Sequence, residues 1–302
     1  MNTPRCIAGI DLGGTRIKAV LHKGDEEIDR RITETGDTGK EEDTPPWAIA
    51  IRELIDAWEK EHKVVIEAVG IACPGLASRD QRCIEYLPGR LHGLIGFDFA
   101  AFLGRHCRVM NDAQAAMLGE LTEGAAQGRR DVVMLTLGTG VGGAILSDGH
   151  LLRGHLGRAG HCGHLCLDPH GKPGITGITG SLEDAIGNHS VKQRSGGRFD
   201  STLELVNAVR DGDAEAKAVW DTSIHALACG IATLINVLDP EAILLGGGIA
   251  EVGDLLFQPL KAHLDEIEWR PGNTGVEILH ASLGEWSGAI GALANLNRPQ
   301  NP

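Results

Sequence analysis

The stretch "GIDLGGTRIKAV", residues 9–20, decides how this chain is read. Short apolar runs on both sides of D-L-G-G-T predict strands over 6–10 and 16–22, joined by a glycine turn. Glycines at such a turn let the main chain approach a ligand closely, and successive N–H groups can point at phosphate oxygens. Thr15 adds a hydroxyl, and Asp11 a carboxylate able to hold a magnesium ion through water. A plain hairpin turn accounts for the same five residues, so two readings stand at this point.

A second strand–glycine–strand unit, "LTLGTGVGGAIL" at 135–146, repeats the pattern later in the chain. It matches G-x-G-x-x-G through Gly138, Gly140 and Gly143. A dinucleotide fold needs that motif to open a helix, with an acidic residue about 20 positions on. Here the chain continues as a strand and a hairpin turn at 147–149, and position 158 is arginine. There is no G-x-x-x-x-G-K-[ST] run either, so neither a dinucleotide-binding dehydrogenase nor a P-loop NTPase is supported. Two such loops suit a nucleoside triphosphate clamped between two domains. A third glycine segment, "LLGGGIA" at 244–250, follows a buried strand, where ligands of α/β sheets sit.

Around these units, helical spacing of Trp47, Ile51, Leu54, Ile55 and Trp58 predicts a helix over about 47–62. A third strand is expected at 27–34, a buried one at 66–73 and another at 107–110. Further helices are expected near 98–103, from 111 onward, and at 202–210, 214–238, 252–267 and 286–296. Strands alternating with helices give an α/β architecture. The 302 residues carry a net charge of −13, which argues against nucleic acid as a partner. Glycine, at 42 residues, is about twice its usual share of roughly 7%. Seven cysteines without a C-x-x-C pair read as reduced thiols and point to the cytoplasm. No stretch is read as approaching the ~20 apolar residues of a membrane helix, and the N-terminus lacks a secretory pattern, so no membrane association is expected.

Together the segments "GIDLGGTRIKAV", "GIACPG", "VMNDAQAAMLGE", "LTLGTGVGGAIL", "GRAGHCGH", "LDPEAILLGGGIA" and "LGEWSGAIGAL" resemble the ROK family of sugar kinases and sugar-responsive repressors, within the actin-like ATPase superfamily. They occur in the family's order along almost the entire chain. The resemblance implies a two-domain, ribonuclease H-like α/β fold with a central cleft that takes ATP, magnesium and a sugar. Its small N-terminal domain would comprise 1–115 and 286–302, and its larger domain 116–285. By the match, Asp11, Gly13, Gly14 and Thr15 form the first phosphate loop, with Asp11 holding magnesium through water. Gly138, Thr139, Gly140 and Gly142 form the second, and Gly246, Gly247 and Gly248 line the adenosine side. Family members are often dimers or tetramers, and a homodimer is expected. About five residues precede the first strand, which does not suit the repressors' helix-turn-helix domain.

"VMNDAQAA" places Asn111 and Asp112 between a strand and a helix, where an N-cap is the structural alternative. Phosphoryl transfer to an alcohol needs a carboxylate to receive the hydroxyl proton and orient the oxygen. The resemblance gives that role to Asp112 and a sugar hydroxyl contact to Asn111.

The family's next motif, G-E-x-G-H, reads "GHCGH" here: His161 stands where the glutamate is expected, and His164 matches the histidine. The following zinc motif, C-x-C-G-x-x-G-C-x-E, reads "GITGITGSLE" at 174–183. Gly174, Thr176 and Ser181 occupy its cysteine positions and cannot act as thiolate ligands, so the family's structural zinc is expected to be absent. A substitute site among His161, Cys162, His164, Cys166 and His170 has no standard spacing behind it. Glu183 and His164 remain expected sugar contacts. His161, which both donates and accepts where a carboxylate only accepts, shifts the expected sugar away from glucose. A filler role for His161 stays open. So do two other readings of the whole chain: a non-catalytic sugar sensor, and a kinase using polyphosphate.

Overall fold

The computed structural model describes residues 4–298 apart from 38, 41, 88 and 90. The chain forms two compact units. Unit 1 comprises Met1–Gln127, Arg153–Arg158 and Ser282–Pro302; unit 2 comprises Gly128–Leu152 and Ala159–Ala281.

Unit 1 contains strands β1 (Cys6–Leu12), β2 (Arg16–Lys23) and β3 (Glu26–Glu34), helix α1 (Pro46–His62), strand β4 (Ile66–Cys73), a small hairpin of β5 (Leu76–Ala77) and β6 (Ile84–Tyr86), helix α2 (Phe99–Leu103), strand β7 (His106–Asn111) and helix α3 (Asp112–Thr122). Its sheet runs β3-β2-β1-β4-β7; the first three strands are an antiparallel meander, and β4 and β7 join β1 in parallel. Side chains alternate between the faces of a strand. Ala8, Ile10 and Leu12 of β1 therefore join the buried face of α1 in one cluster, while Ile7 joins Ala289, Ile290 and Leu293 of the final helix in another.

That final helix, α9 (Ser287–Asn295), lies on the second face, where glycines leave room for its backbone. Gly9 and Gly70 are register partners in β1 and β4. A Cβ at Gly9 would overlap the Ala289 carbonyl, and one at Gly70 the Ala292 carbonyl. α9 also packs on α3, with Gly119 against Ser287 and Gly291 against Ala115. Glu120 of α3, fully buried, accepts from the amides of Ala125, Ser282 and Leu283 and from the Ser282 hydroxyl. These contacts keep α3 whole within unit 1. The division expected near residue 115 falls inside this helix, and the two compact units part at 127/128, 152/153, 158/159 and 281/282.

Unit 2 repeats the plan with β8 (Val132–Leu137), β9 (Val141–Ser147) and β10 (His150–Leu151) as the antiparallel part. Helices α4 (Leu182–Ile186), α5 (Val191–Arg194), α6 (Thr202–Arg210) and α7 (Ala214–Leu238) follow, then β11 (Ala242–Gly246), α8 (Asp254–Ile267) and β12 (Glu277–His280). The order β10-β9-β8-β11-β12, with β11 and β12 parallel to β8, mirrors that of unit 1. The chain then returns to unit 1 through α9 (Ser287–Asn295).

The expected elements are present, including the strand–glycine–strand unit used twice. One expectation needs correction: α7, 25 residues long, is apolar enough by length and composition to cross a membrane. Its Asp221, Ser223 and His225 break any purely apolar run in the sequence, yet mean hydropathy over an 18-residue window reaches 1.4. Trp220, Ile224, Leu227, Ile231 and Leu234 sit in the unit 2 core. An apolar helix of this kind is what a buried core position requires.

Candidate active site

Asp11 follows Ile7 and Gly9 on the α9 face of β1, so strand alternation alone aims its carboxylate at the start of that helix. A Cβ on Gly288 would stand 2.8 Å from the Asp11 carboxyl carbon, so only glycine leaves room there. Lys18 is its register partner on β2 and reaches the carboxylate at 3.4 Å. Burial, reduced by Lys18 and reinforced by the charge of Asp112, pushes the Asp11 carboxyl up to about 6. A buried hard oxygen donor with a second carboxylate in electrostatic reach fits a divalent cation.

The turn after β1 closes through Gly13 N–H to the Arg16 carbonyl at 3.0 Å. Buried Thr35 ties it down, its hydroxyl donating to the Gly14 carbonyl at 3.2 Å and its amide to the Thr15 carbonyl at 3.0 Å. Gly14 and Thr15 are exposed at the tip.

At the end of β7 the N-cap question has a clear answer. Asn111, not Asp112, caps α3: its side-chain oxygen accepts from Ala113 and Gln114 at 3.0 and 3.2 Å. Its amide nitrogen donates to the Gly75 carbonyl at 3.1 Å. Asn111 is thus buried and committed to backbone partners, which leaves one amide hydrogen for the expected sugar contact. Asp112, the first helical residue, is exposed, with one oxygen accepting from Ala113 N–H at 2.9 Å.

In unit 2 the second glycine turn lies between β8 and β9, closed by Gly138 N–H to the Gly140 carbonyl at 3.0 Å. Thr139 is exposed. The Gly246–Gly248 segment folds over the end of β8: Ile249 N–H donates to the Leu137 carbonyl at 3.0 Å, and Gly247 adopts φ +84° against that same carbonyl, where a side chain would overlap it. Gly247 and Gly248 are exposed.

His161, His164 and Glu183 come together. The two imidazoles stack with centroids 6.2 Å apart, and His164 Nδ1 lies 3.7 Å from a Glu183 oxygen. Glu183 also accepts from Val141 N–H at 3.2 Å, across a Gly140 whose missing side chain gives it space. The other members of "HCGHLCLDPH" diverge. Cys162 is buried in the unit 2 core, and burial pushes its thiol up to about 11. Cys166 and His170 are exposed. Ser181, at a family cysteine position, caps α4, accepting from Asp184 N–H and donating to the Asp184 carboxylate at 2.7 Å. Among the described residues no group of three or more His, Cys, Asp or Glu side chains is placed to hold a metal ion.

Sequence reading missed His189, whose ring bridges the Thr139 carbonyl and the Asp184 carboxylate. Only the "S-x-x-D" capping pattern at 181–184 hinted that Asp184 was engaged.

The profile of the ROK family matches residues 7–298. A glucokinase of Thermotoga maritima is 31% identical over 309 residues, covering 95% of each chain. An N-acetylmannosamine kinase of Escherichia coli O157:H7 is 32% identical over 294 residues, covering 94% of this chain and 95% of that one. A crystal structure of a ROK family glucokinase from Streptomyces griseus with glucose and AMPPNP superposes with a TM-score of 0.77 at 28% identity, over 96% of this chain and 98% of that one.

Proposed function

The chain belongs to the ROK family, and from that premise we propose that it is an ATP-dependent sugar kinase in which Asp112 is the general base. The observation that carries the assignment is the division of labour at the start of α3. Asn111 does the capping, so the cap does not need Asp112, whose carboxylate stands exposed at the first helical position. In this reading Asp112 takes the proton of the acceptor hydroxyl as its oxygen bonds to the γ-phosphorus and the bond to the departing ADP oxygen breaks. In the first loop the backbone N–H groups of Gly14 and Thr15, and in the second those of Thr139 and Gly140, would serve phosphate oxygens. The Gly138 and Val141 N–H groups are already bound to Gly140 and Glu183, and Gly246–Gly248 would take the adenosine end. Asp11 would hold magnesium through water; when bound, that ion neutralises phosphate charge.

His161, His164, Glu183 and Asn111 are the proposed sugar contacts. The relatives named above include a glucokinase and an N-acetylmannosamine kinase, so the printed activities leave the sugar open. A neutral imidazole at 161 both donates and accepts, which favours a sugar other than glucose, such as another hexose or an acylamino sugar. We place the enzyme in the cytoplasm, a reading supported by seven free cysteines, and propose a homodimer on the family likeness.

Detection of the sugar phosphate by mass spectrometry over a panel of sugars and derivatives, with ATP and polyphosphate supplied separately as donors, tests the proposal. The expected result is turnover with ATP, a best substrate other than glucose, and a gain in kcat/KM for glucose in His161→Glu. No turnover with any sugar, or polyphosphate as the sole donor, rejects the kinase as described.

A further inference from the structure

We propose that His189 is a positioning residue that clasps the second glycine turn to α4, joining the loop assigned to phosphate with the helix that carries Glu183. The inference rests on the kinase reading for its effect on nucleotide, but the clasp itself rests on geometry.

The His189 ring has two partners: Nδ1 lies 2.8 Å from the Thr139 carbonyl oxygen, and Nε2 lies 2.9 Å from an Asp184 carboxylate oxygen. A carbonyl and an ionised carboxylate can only accept. Both ring nitrogens must therefore donate, which describes an imidazolium; a neutral ring satisfies one partner and presents a lone pair to the other. The surroundings agree. Although burial disfavours the charged ring, the bonds to Asp184 and Thr139 and the charges of Glu183 and Asp184 raise its proton affinity overall. Burial raises the Asp184 carboxyl, but its bonds from Ser181 and His189, with the charge of His164, hold it below its ordinary range.

The backbone on either side is fixed independently. His189 N–H donates to the same Thr139 carbonyl at 2.9 Å, and Asn188 N–H to the Gly138 carbonyl at 2.9 Å. Arg194, whose guanidinium is brought down to about 10 by burial, donates to the Ile186 and Gly187 carbonyls. The ring is thus the titratable fastener in an otherwise permanent seam. When it loses its proton, one of the two ring bonds is lost while the backbone bonds from Asn188 and His189 remain, so the turn is loosened at the ring alone.

Two measurements on the full-length protein decide this. The His189 Cε1–H resonance is followed by NMR from pH 5 to 9, in the wild type and in Asp184→Asn. The expected result is a midpoint above that of an ordinary histidine, falling towards it in the variant. A midpoint at or below the ordinary value in the wild type overturns the clasp. This readout needs no turnover, so failure of the kinase reading does not obscure it. In steady-state kinetics, the KM for ATP is expected to rise about two- to tenfold with His189 deprotonation, the worth of one hydrogen bond, with kcat nearly unchanged. In His189→Gln the KM should sit at the raised value at every pH. Parallel pH profiles for wild type and variant overturn the link to nucleotide.

Discussion

Glu120 accepts hydrogen bonds from the Ser282 and Leu283 amides, which tie the end of α3 to the chain segment leading into α9. The carboxylate is fully buried and also takes the Ala125 amide and the Ser282 hydroxyl. Glu120→Ala would remove the acceptor of three backbone donors, two of them on half-buried residues and one on exposed Ser282, so water can take over part of the loss. Urea denaturation is expected to show a loss of about 1–3 kcal/mol, and a loss under about 1 kcal/mol would contradict the anchoring role.

Asp112→Asn should leave the fold intact, because the cap belongs to Asn111. General-base catalysis contributes typically ~10²–10⁴-fold, so kcat is expected to fall by that factor. Nucleotide affinity measured by calorimetry should stay within about threefold. A variant turning over within about tenfold of wild type would show that another group takes the proton.

The pH dependence of stability should report Asp11. Its carboxyl, pushed up mainly by burial to about 6, binds its proton more tightly in the native state than in the unfolded chain. Ionisation therefore works against the fold: the penalty is absent below the unfolded value near pH 4, grows as pH rises, and is complete above about 6. In metal-free buffer, Asp11→Asn is expected to be more stable than wild type by up to about 3 kcal/mol at pH 8, and no more stable at pH 4. Equal stability at pH 8 would show that the buried charge carries no such cost.

Gly70→Ala tests the glycine bed under α9. The added methyl meets the backbone carbonyl of Ala292, which cannot turn aside as a flexible side chain would. Overpacking of this kind costs typically about 1–3 kcal/mol or more. A thermal midpoint within about 2 °C of wild type would mean that the helix rides further from the sheet than described.

Much of the fold was legible because its signals are local. The hairpin "GIDLGGTRIKAV", its counterpart at 135–146 and the periodic α1 and α7 are each decided by neighbours within a few positions. Asp11 was legible for the same reason, since alternation along β1 fixes its direction. The assignment of capping at 111–112 was not, because both residue types cap well and only the Gly75 carbonyl, far away in sequence, favours Asn111. His189 was invisible for a related reason: its partners lie 50 positions back and on a helix of five residues. The membrane-length character of α7 escaped notice because scattered polar residues masked a mean that burial explains.

The lodging of α9 between α3 and the β1–β4 glycines has a consequence for biosynthesis. The first sheet leaves the ribosome with one apolar face bare, and the segment that shields it follows only after the whole of the second unit. At ~5–20 residues per second, translating the roughly 150 intervening residues takes on the order of ten seconds. During that wait Ile7, Val20 and Ala68 have no cover, and a chain cut before Ser287 should keep that face open to self-association.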